Sequence, residues 1–264
     1  MCQTCGCALP DHLHPESSDD DVHTVAVLEG LKAHNDAAAR HNRAHFDRAG
    51  LLVVNLMSSP GAGKTRLLEA TIEALGDHHR LAVIEGDLET ENDARRIRAK
   101  GVPAVQITTG SACHLDASMV HRAAHALPLD ELDILFIENV GNLVCPASFD
   151  LGQHANVTLL STPEGDDKPL KYPVMFRASD LVLITKTDLL PVLDDFDVEA
   201  VAEHMRRLAS NAPVMALSSK AGSLDAWLEW LEVGLAERRR RIFRPAAGGE
   251  HLLTPPAVPA PGIA

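Results

Sequence analysis

Three cysteines lie at the start of the chain, which begins Met-Cys-Gln-Thr-Cys-Gly-Cys. The two residues between Cys2 and Cys5 allow both sulfurs to reach one ion, and Gly6 lets the backbone turn tightly enough for Cys7 to join them. Thiolates are good ligands for Zn²⁺, Ni²⁺ and Cu⁺. The pattern therefore predicts a metal site at a free chain end, with a redox pair or a merely reactive tail as the alternative.

The fourth ligand of this predicted site is open. Removal of Met1 would free the amine of Cys2, giving the mixed nitrogen and sulfur set that square-planar Ni²⁺ accepts. The side chains of His12 and His14 are the alternatives. The cysteine count of five is odd, and no basic-then-apolar leader is apparent. We therefore expect a cytoplasmic protein with metal-bound or free thiols rather than disulfides.

A glycine-rich segment, Ser-Ser-Pro-Gly-Ala-Gly-Lys-Thr at 58–65, follows an apolar run. It fits the phosphate-binding pattern G-x-x-x-x-G-K-[ST], except that Ser58 stands at the first glycine position. Lys64 would neutralise the β- and γ-phosphates, and the Thr65 hydroxyl would ligate Mg²⁺. A chance turn before a helix is the alternative, but strand, loop, Lys-Thr and helix coincide. We predict that the phosphates are bound by Gly61, Ala62, Gly63, Lys64 and Thr65.

Two acidic residues end later apolar runs. Asp87 follows Ile-Glu-Gly, and Glu138 follows Phe-Ile. Ligands of open parallel sheets bind at the carboxyl ends of the strands, so both acids should lie near Thr65 and Mg²⁺. The alternative is that they are ordinary acidic residues at strand ends. We predict catalytic roles for Lys64, Asp87 and Glu138.

Two further motifs favour guanine over adenine. Thr185-Lys186-Thr187-Asp188 resembles the N-K-x-D element, with Thr185 in place of Asn. A carboxylate at Asp188 would accept from the N1–H and amine of guanine, a pattern that adenine does not offer. The motif Ser218-Ser219-Lys220 follows the last predicted strand and resembles the element that reaches guanine O6. GTP and GDP are therefore the expected nucleotides, with Lys186, Asp188, Ser218 and Lys220 around the base.

A second group of soft ligands lies inside the same region. Cys113-His114 precedes a predicted helix, and Cys145 lies seven residues beyond Glu138, where GTPases keep their second switch loop. These cysteines and the histidine could share one ion, or Cys113 and Cys145 could be small buried hydrophobes. Most of the other histidines, notably His34, His41 and His45 of the first predicted helix, are expected to be solvated residues on a helix face.

The composition narrows the class of protein. The net charge of −13 argues against a nucleic-acid partner, and no apolar stretch approaches the ~20 residues of a membrane helix. Apolar runs alternate with amphipathic segments, which predicts a mainly parallel sheet covered by helices on both faces. Strands are predicted at 51–57, 81–85, 105–108, 134–138, 157–160, 181–185 and 214–217. Helices are predicted at 24–49, 64–75, 91–100, 117–126, 198–210 and 223–241.

This pattern divides the chain into four parts. We expect a metal-binding motif and flexible linker at 1–23, a helix at 24–50, a GTPase domain at 51–243 and a disordered tail at 244–264. The fold class is that of an α/β phosphate-loop GTPase carrying a flexible metal-binding tail.

Together these motifs resemble the hydrogenase nickel-incorporation GTPases, the HypB family, over residues 1 to about 243. The matching motifs are Cys2-x-x-Cys5-Gly6-Cys7, Ser58 to Thr65, Glu85-Gly86-Asp87, Cys113-His114, Glu138 to Pro146, Lys171-Tyr172-Pro173 and Lys186-x-Asp188-Leu189-Leu190-Pro191. Ser58 is then the family's own form of the loop. Thr185, in place of the usual Asn, could loosen the base pocket.

The resemblance implies a homodimeric GTPase that helps load Ni²⁺ into [NiFe] hydrogenase. Its partners would be other maturation proteins and the hydrogenase large subunit. It implies a tight nickel site at Cys2, Cys5 and Cys7, and a weaker Ni²⁺ or Zn²⁺ site at Cys113, His114 and Cys145 near the dimer interface. Hydrolysis would change the geometry of the weaker site, because Cys145 lies on the loop after Glu138.

Two rival functions remain at this point. The sister GTPase that assists urease shares the fold but typically carries Cys-Pro-His, whereas Ala147 follows Pro146 here. The other rival is a nickel or zinc buffer in which GTP binding is vestigial. The intact phosphate-binding loop argues against a pure buffer.

Overall fold

The computed structural model describes residues 19–87, 89, 91–110, 112–221 and 224–242. Its strands are β1 (Leu52–Ser58), β2 (Leu81–Asp87), β3 (Ala104–Thr108), β4 (Ile134–Glu138), β5 (Ala155–Ser161), β6 (Leu181–Thr185) and β7 (Val214–Ala216). They form one sheet in the order β3-β2-β4-β1-β5-β6-β7, and every pairing is parallel. The predicted parallel sheet is therefore confirmed.

The helices of the described residues connect these strands. They are α1 (Asp19–Ala49), α2 (Lys64–Leu75), α3 (Asn92–Arg98), α4 (Ala117–Ala124), α5 (Lys168–Lys171), α6 (Pro173–Arg177), α7 (Val198–Arg207) and α8 (Asp225–Ile242). Short 3₁₀ turns lie at Leu129–Glu131, Cys145–Ser148, Thr162–Glu164 and Thr187–Val192. None of the helices in the described part of the chain combines the length and apolar character that crossing a membrane requires.

Alternation along β1 explains how both faces are covered. All of its residues are buried, as expected of a central parallel strand. Val54 packs with α2 and α8 on one face, whereas Val53 packs with α1 and α4 on the other. A third apolar cluster joins Met57 to α6 and α7 on the same side as Val53. The predicted cover of helices on both faces is confirmed.

The first helix is part of this core. Phe46 is fully buried among residues of β1, β4 and α4. The amide of Asn42 donates to the carbonyls of Ala117 (2.7 Å) and Leu151 (3.0 Å). Asn35 accepts from the Ala117 N–H at 2.9 Å. Buried amides thus fix the helix to the start of α4.

Most predicted boundaries agree with the structure to within a few residues, and those of α2, β4 and β6 agree fully. The boundary at residue 23 is wrong, because residues 19–23 of the predicted linker belong to α1. The strand predicted at 81–85 continues to Asp87, so this acid ends β2 rather than following it. The cysteines at 2, 5 and 7, His12, His14 and the tail at 244–264 lie outside the described residues.

Candidate functional site

The phosphate-binding loop connects the end of β1 to the start of α2. Gly61 and Gly63 have φ angles of 76° and 99°, which residues with a Cβ atom rarely adopt. Gly63 directly precedes α2, so the backbone N–H groups of the first turn face the loop. Such a helix start attracts phosphate groups.

Ser58 has a specific role at the first position of this loop. Its side chain is buried, and its hydroxyl accepts a hydrogen bond from the ammonium of Lys64 at 3.0 Å. The bond holds Lys64 back over the loop. The serine therefore positions the lysine, a role that the glycine of the usual pattern cannot fill.

An acidic cluster lies beside the loop. The hydroxyl of Thr65 donates to Glu138 at 2.9 Å, which confirms the predicted proximity of these two residues. Carboxylate oxygens of Glu85, Asp93 and Glu138 all lie within 4.8 Å of one another. Asp87 lines the same cavity of about 390 Å³ with Lys64 and Thr65, but this closest cluster does not include it.

The carboxyls of Glu85 and Glu138 share an unusual electrostatic environment. Burial and then the charge of Glu138 raise the pKa of Glu85 well above its usual range. Burial also raises the pKa of Glu138, although Lys64 opposes this. One oxygen of each, Oε2, is buried without a hydrogen-bond partner in the described structure. Two orphan acceptors beside a threonine hydroxyl fit a bound Mg²⁺, a cation that prefers oxygen ligands.

Sequence reasoning missed Glu85 and Asp93 as members of this site. Glu85 was detectable, because it is charged in a buried strand and lies two residues before Asp87, hence on the same face. Asp93 comes from the first turn of α3, where an acid also suits the helix dipole. Its carboxylate accepts from Arg96 at 2.8 Å, and Arg96 in turn donates twice to the buried Glu69.

The predicted base-binding residues meet at the ends of β6 and β7. The Asp188 carboxylate accepts from the Ser218 hydroxyl at 2.7 Å. That hydroxyl also accepts from the N–H of Lys220 at 3.3 Å. Lys186 has a left-handed backbone with φ of 59°, and its carbonyl accepts from Thr162 at 3.0 Å. These bonds fix the loop after β6 and orient the Asp188 carboxylate.

Thr185 does not leave this pocket loose. Its side chain is buried, and its hydroxyl donates to the carbonyl of Ala62 at 2.7 Å. The end of β6 is therefore tied to the phosphate-binding loop. The expected loosening by threonine has no support, because the hydroxyl makes a direct bond to that loop.

The second predicted ligand group is also assembled. The sulfurs of Cys113 and Cys145 lie 2.9 Å apart, and the Cys113 sulfur lies 3.7 Å from His114 Nδ1. One ligand atom from each of the three residues lies within 4.8 Å of the others. All three are half-buried, which rejects the reading of the cysteines as core hydrophobes. Two thiols and an imidazole suit Ni²⁺ or Zn²⁺.

The histidine of this cluster is held in place and kept neutral. Its ring stacks on Phe149 with centroids 3.8 Å apart. Burial lowers the pKa of His114, although the charge of Asp116 opposes the shift. A neutral imidazole is the form that binds metal ions. The Cys145 thiol has a raised pKa, chiefly because it shares a hydrogen bond with Cys113.

Asn139 joins the two clusters. It directly follows Glu138, is buried, and its Oδ1 accepts from the N–H of Leu115 at 3.3 Å. Leu115 directly follows His114 and packs on Gly86, where an added Cβ would lie 2.8 Å from it. The residue next to each cluster thus contacts the residue next to the other.

The segment after Asn139 also packs closely against the phosphate-binding loop. A Cβ added to Gly141 would lie 2.9 Å from the Cα of Pro60. The same segment continues to Cys145 through Asn142, whose amide donates to the Cys113 carbonyl at 3.4 Å. A second, larger cavity of about 900 Å³ lies between α1, α8 and residues 146–156, away from the phosphate-binding loop.

The fold and this site define a phosphate-loop nucleotide-binding protein. The profile of the family described as CobW/HypB/UreG, nucleotide-binding domain, matches residues 52–216. Hydrogenase maturation factor HypB of Azotobacter chroococcum is 56% identical over 79% of this chain and 68% of its own length. The Escherichia coli K12 factor of the same name is 55% identical over 75% of this chain and 68% of its own length.

Two solved structures agree with these relatives. HypB of Helicobacter pylori, crystallised in complex with nickel, is 45% identical and superposes with a TM-score of 0.72 over 82% of this chain and 100% of the other. The maturation factor HypB of Archaeoglobus fulgidus is 37% identical, with a TM-score of 0.71 over 77% and 99% of the two chains. The chain belongs to the HypB family of hydrogenase maturation factors.

Proposed function

We propose that this protein is a GTP-hydrolysing metallochaperone that binds nickel and delivers it during maturation of [NiFe] hydrogenase. The observation that carries the proposal is the contact of Asn139 with Leu115, which joins a phosphate-side cluster to a thiol and imidazole cluster. A nucleotide site alone would suit many proteins of this fold. A soft-metal site that contacts the acidic residues of the nucleotide site suits a protein in which the nucleotide controls the binding of a metal ion.

The nucleotide chemistry follows from the described side chains. Lys64, held by Ser58, would contact the β- and γ-phosphates. Thr65 and Glu138, with Glu85 or Asp87, would hold Mg²⁺, which neutralises phosphate charge and orients the oxygens. The aligned carboxylate of Asp188 would select guanine.

Nickel would be the cargo of the second cluster. Cys113, His114 and Cys145 offer two sulfurs and one nitrogen, and Zn²⁺ would compete for the same set. Movement of 139–141 against Pro60 on hydrolysis would be passed to Cys145 along the same segment. The ligand geometry, and hence the affinity for nickel, would then differ between nucleotide states.

The remaining parts of the proposal concern the chain's other end and its partners. Cys2, Cys5 and Cys7 would form the tighter nickel site. Val144 is 58% exposed beside the second cluster, and Val174 is equally exposed on α6, which packs on the Cys145 turn. A homodimer interface at this cluster would cover these exposed side chains. The factor would act in the cytoplasm with other maturation proteins and the hydrogenase large subunit.

A single-turnover GTPase assay with and without Ni²⁺ tests the proposal. The chain should hydrolyse GTP, and Ni²⁺ should change the rate. Lys64→Ala should abolish hydrolysis but leave binding of nickel at Cys2, Cys5 and Cys7. GTP bound but not hydrolysed would instead favour a metal buffer. Loss of that nickel site in the lysine variant would contradict the separation of the two sites.

The urease-type alternative has less support. Its Cys-Pro-His pattern would supply an imidazole two residues after the cysteine, where this chain has Ala147. Here the imidazole beside Cys145 belongs to His114, from the preceding loop.

A further inference from the structure

Four histidines meet on the outer surface where α1 packs against α4. His41 and His45 lie one turn apart on α1, and His121 lies one turn from His125, which follows the end of α4. Ring centroids are 4.5 Å apart for His121 and His125, 5.0 Å for His41 and His121, and 5.9 Å for His45 and His125. None of these residues belongs to the nucleotide or cysteine clusters. They are called the imidazole cluster below.

Buried hydrogen bonds fix the tautomer of the central ring. Both donor positions of the Asn42 amide are occupied, because its nitrogen donates to the carbonyls of Ala117 and Leu151. Its oxygen, Asn42 Oδ1, can only accept, and it faces His121 Nδ1 at 3.0 Å. The proton of neutral His121 therefore lies on Nδ1, and the lone pair lies on Nε2. Metal-binding histidines are oriented in the same way, by donating from the other ring nitrogen.

The free nitrogen of His121 faces a second imidazole at ligand spacing. His121 Nε2 lies 3.1 Å from His125 Nε2. Two nitrogens on one ion, each at about 2.0–2.1 Å, are separated by roughly 2.8–3.4 Å, from a 90° octahedral angle to a tetrahedral angle at the metal. A cation between the rings would replace the one proton that the two nitrogens now share. His125 is exposed and can carry its own proton on Nδ1 instead.

The central ring of the cluster is disfavoured from taking up a second proton, so its Nε2 lone pair stays free. Burial and then the charges of His125, His41, His45 and Arg122 lower the pKa of His121. The ring is thus neutral under conditions in which an isolated histidine would be partly protonated. Four solvated surface rings would not need the buried amide that orients one of them.

We infer that the imidazole cluster binds one divalent transition-metal ion of the Ni²⁺ and Zn²⁺ class, with His121 and His125 as the first ligands. His41 and His45 flank this pair from α1, but among the described residues no third ligand atom lies within 4.8 Å of both nitrogens, so water would complete the coordination. Imidazole suits both ions. The inference rests on the geometry of α1 and α4 and stands apart from the nucleotide chemistry.

Titration of the full chain with NiSO₄, followed by calorimetry and absorption, tests this. Thiolate-bound nickel gives charge-transfer bands, whereas an all-imidazole site gives none, so binding should continue after those bands saturate. The double variant His121→Gln, His125→Gln should bind one ion fewer per chain with unchanged charge-transfer bands. The matched variant His34→Gln, His78→Gln removes two exposed histidines elsewhere and should retain the unmodified stoichiometry.

A measurement on the unmodified chain keeps the test independent of folding. Once the thiolate bands are saturated, further paramagnetic Ni²⁺ should broaden the ring proton signals of His41, His45, His121 and His125 before those of His34. Equal stoichiometry in the two double variants would overturn the inference. So would broadening that spares the imidazole cluster.

Discussion

Two buried glutamates make the folding stability of the nucleotide-free protein depend on pH. Glu85 and Glu138 lie side by side, and each has one oxygen without a hydrogen-bond partner among the described residues. A carboxyl with a raised pKa stays protonated in the folded chain but ionises in the unfolded chain above its ordinary value of 4.5. The folded state then binds more protons, so stability falls as pH rises above that value.

Glu85→Gln should flatten this pH dependence in nucleotide-free protein with EDTA present. The unmodified chain should lose up to about 1.4 kcal/mol per pH unit from this group, and the amide variant should not. Thermal unfolding from pH 5 to pH 8 measures the difference.

Glu69 is the matched control for this prediction. Burial acts to raise its pKa, but hydrogen bonds and charge from Arg96 outweigh it, so the pKa of Glu69 is lowered. Its ionised form therefore stabilises the fold above the ordinary value, and this is lost as pH falls. Glu69→Gln should destabilise the chain near neutral pH. A parallel loss of stability with pH in the unmodified and Glu85→Gln proteins would contradict the assignment.

Asp188→Asn tests the guanine assignment at the same scale. The carboxylate is held by Ser218, and an amide cannot accept from both guanine donors. Loss of a charge-assisted bond should weaken GTP binding by ~1.5–3 kcal/mol, roughly 10- to 150-fold. Fluorescent nucleotide titration measures it, with the exposed Asp194→Asn as control. Unchanged GTP affinity, or equal competition by ATP, would remove the assignment.

At the scale of elements, the segment from Glu138 to the Cys145 turn connects the phosphate-binding loop to the cysteine cluster. It packs on Pro60 at Gly141, bonds to Leu115 at Asn139, and ends in a metal ligand. Displacement of this one segment would therefore move residues of both the phosphate-side cluster and the cysteine cluster.

Gly141→Ala should separate the segment from the phosphate-binding loop. The added Cβ would lie 2.9 Å from backbone atoms of Pro60, which cannot yield like a side chain. Such overpacking costs ~1–3 kcal/mol, and GTP affinity and hydrolysis should both fall. Nucleotide titration and a GTPase assay measure the two effects.

Gly234→Ala in α8 is the matched control, since its nearest neighbour is a side-chain atom of Leu52 at 3.3 Å. It should leave both properties unchanged. Normal hydrolysis in the Gly141 variant would mean that the close contact does not matter.

The first helix provides a second prediction at this scale. Asn42→Ala would leave the carbonyls of Ala117 and Leu151 buried without this donor, so the unfolding free energy should fall by ~1–3 kcal/mol. Urea unfolding measures the change. His34→Ala, an exposed position on the same helix, should cost little. Equal stabilities would show that α1 is not held to the domain by this residue.

At the scale of the whole molecule, local sequence patterns correctly predicted the parallel sheet and most residues of the two ligand clusters. Strand and helix alternation fixed the fold class, and the order of motifs placed Lys64, Thr65 and Glu138 together. Cys113, His114 and Cys145 were also expected to meet, and they do. These residues were recognisable because strand ends and motif spacing determine where they lie.

Other features depend on contacts between residues that are far apart in the sequence, and local sequence patterns do not reveal such contacts. Nothing near Ser58 indicates that it holds Lys64, or that Thr185 bonds to Ala62. The imidazole cluster looks like scattered solvated histidines until α1 packs on α4. The start of α1 at Asp19 was missed because an acidic run resembles a linker.

We expect the affinities for nucleotide and for metal to be coupled within one molecule. Because the two clusters are linked through Asn139, we expect metal at Cys113, His114 and Cys145 to prefer one nucleotide state, and linkage then requires the nucleotide to prefer one metal state. A coupling of ~1–3 kcal/mol, or 5- to 150-fold, is ordinary for such a link.

The most direct measurement is Ni²⁺ titration of a chain lacking residues 1–7, loaded either with a GTP analogue or with GDP. The thiolate charge-transfer bands report binding at the cysteine cluster. The two affinities should differ at least 5-fold, within the range just given. Cys145→Ala should abolish that difference while guanine-nucleotide binding persists. Identical nickel affinities in the two nucleotide states would contradict the account, leaving a GTPase and a metal site that merely share a chain.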